Sequence, residues 1–400
     1  MKTLLASKAF RGKWFILLFI SLFIVLSLFS QTLFVTAAEG NEEEKHIEET
    51  VQEQIEKLDL ESLQEYVDSL QYFNSQTVVE RLVAYIKGAD FDYESFAEGL
   101  SSLLFAKVGE ILPAFACITA ITLLSGLIST LKSNTLGQTS SEMIFIITYV
   151  AALIPLIGVL TEILETCVSC VDAMRKQMGL IFPLMLTLMS ASGSTVSAAV
   201  CRPAVAFFSA SILSVIRLVV FPMTITIIVF SMTGKLTKDL KIGKFTAFFK
   251  SINKWIIGVC VSVFGIFFTL QGITAATYDG VVRRAAKYAI GNGIPIVGGF
   301  LSGGFDLAVA GGILIKNSLG SMSIFLMLAV LFEPLVLLIS VNLLLRLVSA
   351  ITQPFGESRI SDFLSETAEN LHYCTAALLL TAFLYFLTVM IMIFSTEALF

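Results

Sequence analysis

Apolar runs of about the length of one bilayer crossing dominate the chain from residue 108 onward. They fall at Val108–Leu131, Met143–Glu165, Met178–Val200, Ala204–Met232, Trp255–Thr277, Ile294–Ile315, Ser321–Leu345 and Tyr373–Ser395. Upstream the pattern changes. Ile47, Val51, Ile55 and Leu58 recur at helical spacing, and so do Leu63, Val67 and Leu70 after Asp59, a helix-capping residue type. Each of these helices has one apolar stripe and one acidic face, which reads as a solvated surface or as a docking face for a partner helix. Asp90–Lys107 is amphipathic with several aromatics and is expected to lie along the membrane interface before the first span.

The first residues read as a targeting segment. Lys2, Lys8, Arg11 and Lys13 precede the apolar run Trp14–Phe34, and Val35-Thr36-Ala37-Ala38 offers small residues for a signal peptidase. The run is long for a signal peptide, so an uncleaved anchor is the alternative. Either form puts residue 39 onward outside the cytoplasm. The predicted fold class is all-α: a polytopic helical membrane protein with an N-terminal signal sequence, a small acidic helical extracytoplasmic segment and an internally repeated membrane domain. The boundaries are 1–38 for the signal peptide, 39–107 for the acidic segment and 108–400 for the multi-span domain.

Composition agrees. Of the 400 residues 56% are hydrophobic and only 14% charged, with a mean hydropathy of +0.86, more apolar surface than a soluble core of this length needs. The net charge of −5 conceals an asymmetry: Glu39–Glu98 holds 17 acidic against 4 basic residues, −13 locally, which leaves +8 for the rest. Between two apolar runs, Lys235, Lys238, Lys241, Lys244, Lys250 and Lys254 face Asp239 alone, so this loop is expected in the cytoplasm. No basic patch with interleaved aromatics points to nucleic acid, and six scattered cysteines make no disulfide framework.

The middle of the chain repeats at a shift of 112 residues, about 143–236 against 255–348. Arg175 falls on Lys287, Gly179 on Gly291, Pro183 on Pro295, Ser190 on Ser302 and Pro222 on Pro334. The small-residue run around Ser190 and Gly193 then corresponds to Ser302-Gly303-Gly304. An odd number of crossings must separate the acidic segment from the lysine loop, yet four apolar runs lie between them. Making Met178–Val200 re-entrant, and Ile294–Ile315 with it by the repeat, leaves six full spans. Full crossing by both gives eight spans and inverted repeats.

The stretch Lys287–Gly320 carries Gly291, Gly298, Gly299, Gly303, Gly304 and Pro295, with Asp306, Lys316 and Asn317 among them. Glycine at such density implies close backbone contact or a broken helix shielded inside a bundle. These residues are the candidates for a conduit or a packing seam. Gly179, Pro183, Ser190 and Gly193 are their repeat equivalents. Two charges fall in mid-run, Arg217 and Glu333, and each must face protein or water. They either pair and hold the two copies together or line a solute path; Asn342 is a further polar candidate.

Enzyme chemistry is not indicated. His46 and His372 are far apart in sequence and lack metal-ligand spacing, and there is no GxxxxGK[ST] stretch. Cys167-Val168-Ser169-Cys170 is a CxxC without a βαβ context, read as two apolar cysteines. No cofactor or metal is implied.

Lys287-Tyr288-Ala289-Ile290-Gly291-Asn292, Pro295-Ile296-Val297-Gly298-Gly299, Leu314-Ile315-Lys316-Asn317 and Gln353-Pro354-Phe355-Gly356-Glu357 resemble the stage III sporulation protein AE family. The order of signal peptide, acidic segment and multi-span part is similar over nearly the whole chain. The chain departs from the family pattern at Gly293 and Gly303, which leaves Asp306 without a carboxylate partner. The resemblance implies a many-span component of a channel-like, secretion-like complex between mother cell and forespore, in the mother-cell membrane that surrounds the forespore. Its partners would be the other membrane proteins of that complex and the lipid bilayer. A stand-alone secondary transporter and a membrane scaffold without a conduit are the other function classes.

Two outcomes are expected. A cysteine placed in the Lys235–Lys254 loop is shielded from impermeant thiol reagents in intact cells, while one in Glu42–Asp68 reacts. Gly298→Leu or Gly303→Leu inserts in the membrane but damages function, because a large side chain holds apart backbones that must touch; normal spore counts would reject close packing there.

Overall fold

The computed structural model describes residues 60–68, 78–80, 82, 93–132, 138–236, 242–266, 298–354 and 358–397. The signal segment and most of the acidic segment therefore lie outside the described residues, as do Gly291 and Pro295. What is described is helical. α1 is Glu61–Asp68, α2 Tyr93–Lys132, α3 Gln138–Ala191, α4 Thr195–Phe207, α5 Phe221–Leu236, α6 Gly243–Ile266, α7 Gly298–Thr352 and α8 Ser358–Glu397. Between α4 and α5 the rod continues through two π-turns, Phe208–Ile212 and Ile216–Val220, with Leu213–Val215 α-helical between them. Six of the helices are long and apolar enough to cross a membrane, so the chain is a multi-pass membrane protein.

Two helices exceed any single crossing. α3 has 54 residues and α7 has 55, about 80 Å each at 1.5 Å per residue, against about 30 Å of hydrocarbon. This corrects the segmentation read from hydropathy. Met178–Val200 is not a separate or re-entrant segment but the far end of α3, a turn, and the start of α4. The described part of Ile294–Ile315 runs straight into Ser321–Leu345 as the single helix α7. The reason is local. Residues 159–178 hold no glycine or proline, and Glu162, Glu165, Arg175, Lys176 and Gln177 are good helix formers, so their polarity marks a waist and not a loop. Asp90–Lys107 likewise is no separate surface helix where it is described, since Tyr93–Lys107 runs on into α2.

The 112-residue correspondence does not extend to local geometry. In the first copy Ser192-Gly193-Ser194 reverses the chain; Gly193 has φ +84°, which only glycine adopts without strain. In the second copy Ser302-Gly303-Gly304 is unbroken helix.

The bundle divides along its length. Large exposed apolar side chains gather in one layer: Met143, Ile147 and Ile154 of α3, Ile225 and Val229 of α5, Leu343 and Leu347 of α7. A charged plane closes each side of that layer. At the end carrying Lys235, Arg359 grips Glu142 through two hydrogen bonds of 2.9 and 3.2 Å, with its guanidinium over the Phe145 ring. At the waist, Lys107 meets Glu110 at 3.3 Å and Glu333 at 3.5 Å, and Arg217 meets Asp172 at 2.8 Å. On α3 the step from Glu142 to Glu162 is 20 residues, about 30 Å, one hydrocarbon thickness.

α8 runs through the middle, packed on α3, α5 and α7. Tyr149 of α3 donates to the Met232 carbonyl of α5 at 2.8 Å, and Ser349 of α7 donates to the Ser361 carbonyl of α8 at 2.8 Å. Where α3, α7 and α8 converge beyond the waist, Gly320 leaves no room: a Cβ there would sit 2.7 Å from Ile393 Cδ1 and 3.3 Å from Met185 Cε. Gly179, by contrast, has nothing within 4 Å, so it is not a packing glycine.

Gly320→Val therefore should destabilise the purified protein in detergent by about 1–3 kcal/mol, the usual cost of overpacking. Gly179→Ala should leave the thermal midpoint unchanged or raise it. Equal midpoints for wild type and Gly320→Val would reject the three-helix contact.

Candidate functional site: a charged strip in the membrane layer

α8 is the most enclosed long helix, yet one face of its first half stays open. Asp362, Glu366, Glu369 and His372 follow at steps of four, three and three, the spacing of one helical stripe. Glu366 accepts from Lys235 Nζ at 2.9 Å and from Ser231 Oγ at 2.5 Å, and Asp362 lies 3.9 Å from the same lysine. Lys250 of α6 adds positive field at Glu366. On the other wall, Arg346 Nε donates to Asn342 Oδ1 at 2.9 Å, its Nη2 is 3.3 Å from His372 Nε2, and Asn342 Nδ2 donates to the Ala368 carbonyl at 2.5 Å.

This strip shares its depth with the exposed apolar belt. The bonds from Asn342 to Ala368 and from Ser349 to Ser361 put α8 362–372 level with α7 339–349, where Ile339, Leu343 and Leu347 are exposed. From Arg359 to His372 is 13 residues, so the strip reaches about 20 Å into the layer. Charged groups at such depth persist where they pair or meet water. Beyond His372 the face closes, and every residue from 377 to 382 is buried. One turn on from Glu366, at the edge of the helix's buried face, Asn370 is fully buried with neither amide atom hydrogen-bonded. A buried amide without partners is costly, so Asn370 marks a second polar spot at this depth.

Of the polar candidates singled out from the sequence, Asn342 stands in the wall of the strip, and the others lie elsewhere. Arg217 and Glu333 do not pair with each other. Arg217 sits in the second π-turn and pairs with Asp172, and Glu333 pairs with Lys107, both at the waist and both partly exposed. That π-turn has a local cause: the Phe221 N–H reaches back to the Ile216 carbonyl, which opens the helix just before Pro222, a residue with no N–H to give.

Lys316 is fully buried, and its Nζ donates to the Ile393 carbonyl at 2.6 Å, near the C-terminus of α8 where a cation suits the helix dipole. It joins two helices beyond the waist and does not line the strip. Asn317 is half-buried beside it. Gly298, Gly299, Gly303, Gly304 and Asp306 occupy the first turns of α7, where the helical backbone is described. Pro183 is exposed within α3, and Ser190 Oγ bonds back to the Leu186 carbonyl. Cys167 and Cys170 are buried free thiols.

Glu366, Glu369 and Arg346 were not singled out from the sequence, and Lys235 only as one of the basic-loop lysines, although the i, i+4, i+7 recurrence of acidic residues from Asp362 was there to read. The described part of the acidic segment also has a binding role within the fold. α1 buries Leu63, Tyr66 and Val67 against the bundle, and Gln177 Nε2 donates to the Tyr66 hydroxyl at 2.9 Å and to the Leu326 carbonyl at 3.1 Å. Burial pushes the Tyr66 phenol up to about 12, so it stays neutral and able to accept this bond.

Comparison with known proteins agrees with the resemblance drawn from the motifs. The family described as stage III sporulation protein AE matches residues 77–396. A curated relative, the stage III sporulation protein AE of Bacillus subtilis (strain 168), is 24% identical over 320 residues, covering 78% of each chain. No solved structure matches the chain. With a match that runs from within the acidic segment through the last helix of a six-span bundle, this chain belongs to the stage III sporulation protein AE family.

Proposed function

We propose that the chain is the many-span membrane component of a sporulation-specific channel or secretion-like complex that links mother cell and forespore and is needed for forespore development. Its place is the mother-cell membrane around the forespore, and its partners are the other membrane proteins of that complex. It carries out no enzymatic step of its own. Membership of the sporulation family supports the setting.

One observation supports a component over a self-sufficient conduit: the strip from Asp362 to His372 is open from the lysine end and closed above by the buried residues 377–382. Charges held this deep suit a hydrated or polar passenger. A passage that ends partway needs further chains, or a rearrangement with them, to be completed. The positive-inside rule favours a cytoplasmic position for the lysine end. Three crossings, α2, α3 and the α4–α5 rod, separate α1 from the lysine turn, an odd number as the charge asymmetry requires. A stand-alone transporter draws on the repeat, two broken segments and buried charges; of the two breaks only Ser192–Ser194 is one, since α7 is unbroken over its described length, which weakens that reading.

The test combines spore counts with flux measurements. Glu369→Leu and His372→Leu, both on the open side of α8, are expected to keep wild-type membrane abundance and lower heat-resistant spores by an order of magnitude or more. Glu366→Gln should lower abundance as well, since it leaves Lys235 without its closest carboxylate. Purified chain in liposomes should carry no saturable solute flux. Full sporulation of Glu369→Leu and His372→Leu would reject the strip, and saturable uptake by the chain alone would reject the component reading.

A further inference from the structure

We infer that the bundle beyond Gln177 stands outside the hydrocarbon as a head on the same side as α1, so that Met178–Val200, apolar as it is, never enters the bilayer.

Length gives the first argument. From Glu142 in the lysine-end plane to Gln177 is 35 residues, about 52 Å along α3 and about 49 Å at the usual tilt near 20°. A whole bilayer with its headgroups is about 40–45 Å thick. Gln177 has therefore already cleared the far surface, and Ala191 lies 14 residues, about 21 Å, further out.

The docked helix gives the second, independent argument. α1 turns Leu63, Tyr66 and Val67 to the bundle and keeps Glu61, Glu65 and Asp68 exposed. A helix with three exposed carboxylates cannot lie in lipid. It is held at a fixed level, because Gln177 bonds both the Tyr66 hydroxyl and the Leu326 carbonyl. Lys176 Nζ stands 5.2 Å from the Tyr66 ring centroid, and Arg175 and Lys176 are exposed at the same level. The surroundings of Gln177 are thus aqueous.

The exposed side chains change in the same place. In the membrane layer α3 shows Met143, Ile147, Ile154 and Ile157 outward. Beyond Gln177 its exposed positions are Gly179, Pro183, Thr187 and Ala191, and α4 shows Thr195, Ala199, Arg202, Pro203 and Ala206, with Phe207 the one large apolar exception among the described residues of α4. The apolar residues that raise the hydropathy of this segment point inward: Phe182, Met185 and Met189 are fully buried, and Phe182 packs on Tyr385 of α8. Hydropathy reads such a segment as a span because it sums side chains without regard to direction.

Thiol labelling of the full-length chain tests this. Cys117 is the one exposed cysteine among those described, so Cys117→Ser supplies a quiet background. Thr187→Cys and Ala199→Cys probe the head, Glu65→Cys marks the side of α1, and Ile154→Cys marks the hydrocarbon; all four positions are exposed. An impermeant maleimide is applied to right-side-out protoplasts and to inverted vesicles, and membrane abundance checks that each variant folds. Both head cysteines should label from the side that labels Glu65→Cys, and Ile154→Cys from neither. The inference is overturned if both head cysteines stay as silent as Ile154→Cys, if they label from the side opposite to Glu65→Cys, or if Glu65→Cys itself labels from neither side.

Discussion

Backbone hydrogen bonding inside hydrocarbon is the constraint on which this structure depends. No water is there to satisfy an N–H or a carbonyl, so a chain that enters must complete its bonds within the helix. α3 and α7 meet this requirement over their whole length and continue well past the bilayer, with 54 and 55 residues. The other elements are arranged on these two rods. α8 packs against both, α2 pairs with Glu333 of α7 through Lys107, and α1 docks where Gln177 of α3 reaches the Leu326 carbonyl of α7. The irregular turns are confined accordingly: Ser192–Ser194 lies at the far tip, and the two π-turns keep the α4–α5 rod hydrogen-bonded past Pro222.

Charge is distributed by the same constraint. The ion pairs Glu142–Arg359 and Lys107–Glu333 bound about one hydrocarbon thickness, and Arg217–Asp172 lies further out, with Asp172 30 residues or about 45 Å from Glu142 along α3, so all three can reach headgroups or water. Half-exposed pairs of this kind add little stability by themselves. Their use is positional, since they fix which section of each long helix can lie in lipid. The strip on α8 is the departure, because it carries Glu366, Glu369 and His372 into the layer that the waist and the lysine-end plane enclose. Lys235, Ser231 and Arg346 from neighbouring helices bond into it, so it is held by tertiary contacts on both walls.

Much of the protein was legible in the chain. Long apolar runs gave a helical membrane protein, and lysine clustering marked the end of α5 and the start of α6, although Lys244, Lys250 and Lys254 lie within α6, which begins at Gly243 and not at Trp255. Three crossings before that cluster agree with the parity argument, although the means differ: the extra apolar run is the outer part of α3 and α4 and not a re-entrant segment. The repeat predicted equal geometry at Ser192 and Gly304 and did not deliver it, since similar small residues serve a reversal in one place and straight helix in the other. The glycine argument held at Gly320, where Ile393 and Met185 crowd the backbone, and failed at Gly179, which touches nothing. Pattern alone cannot tell these two glycines apart, because the difference is what stands opposite.

By itself the sequence determined the helical class and the family, since these depend on local composition, period and motif. The direction in which each residue points, and the depth at which it lies, were decided by the tertiary structure. Arg217 and Glu333 read as mid-span charges and became waist residues with separate partners, Asp172 and Lys107. Lys316 read as a candidate for a conduit or a packing seam and became a buried link to the end of α8. Asp362 to His372 precede the apolar run Tyr373–Ser395 in the sequence yet form a strip at membrane depth, because α7 and α8 pair in a register that sets Asn342 against Ala368. Burial and depth are properties of which helices meet and where along their length, and no run of residues along one helix encodes that meeting.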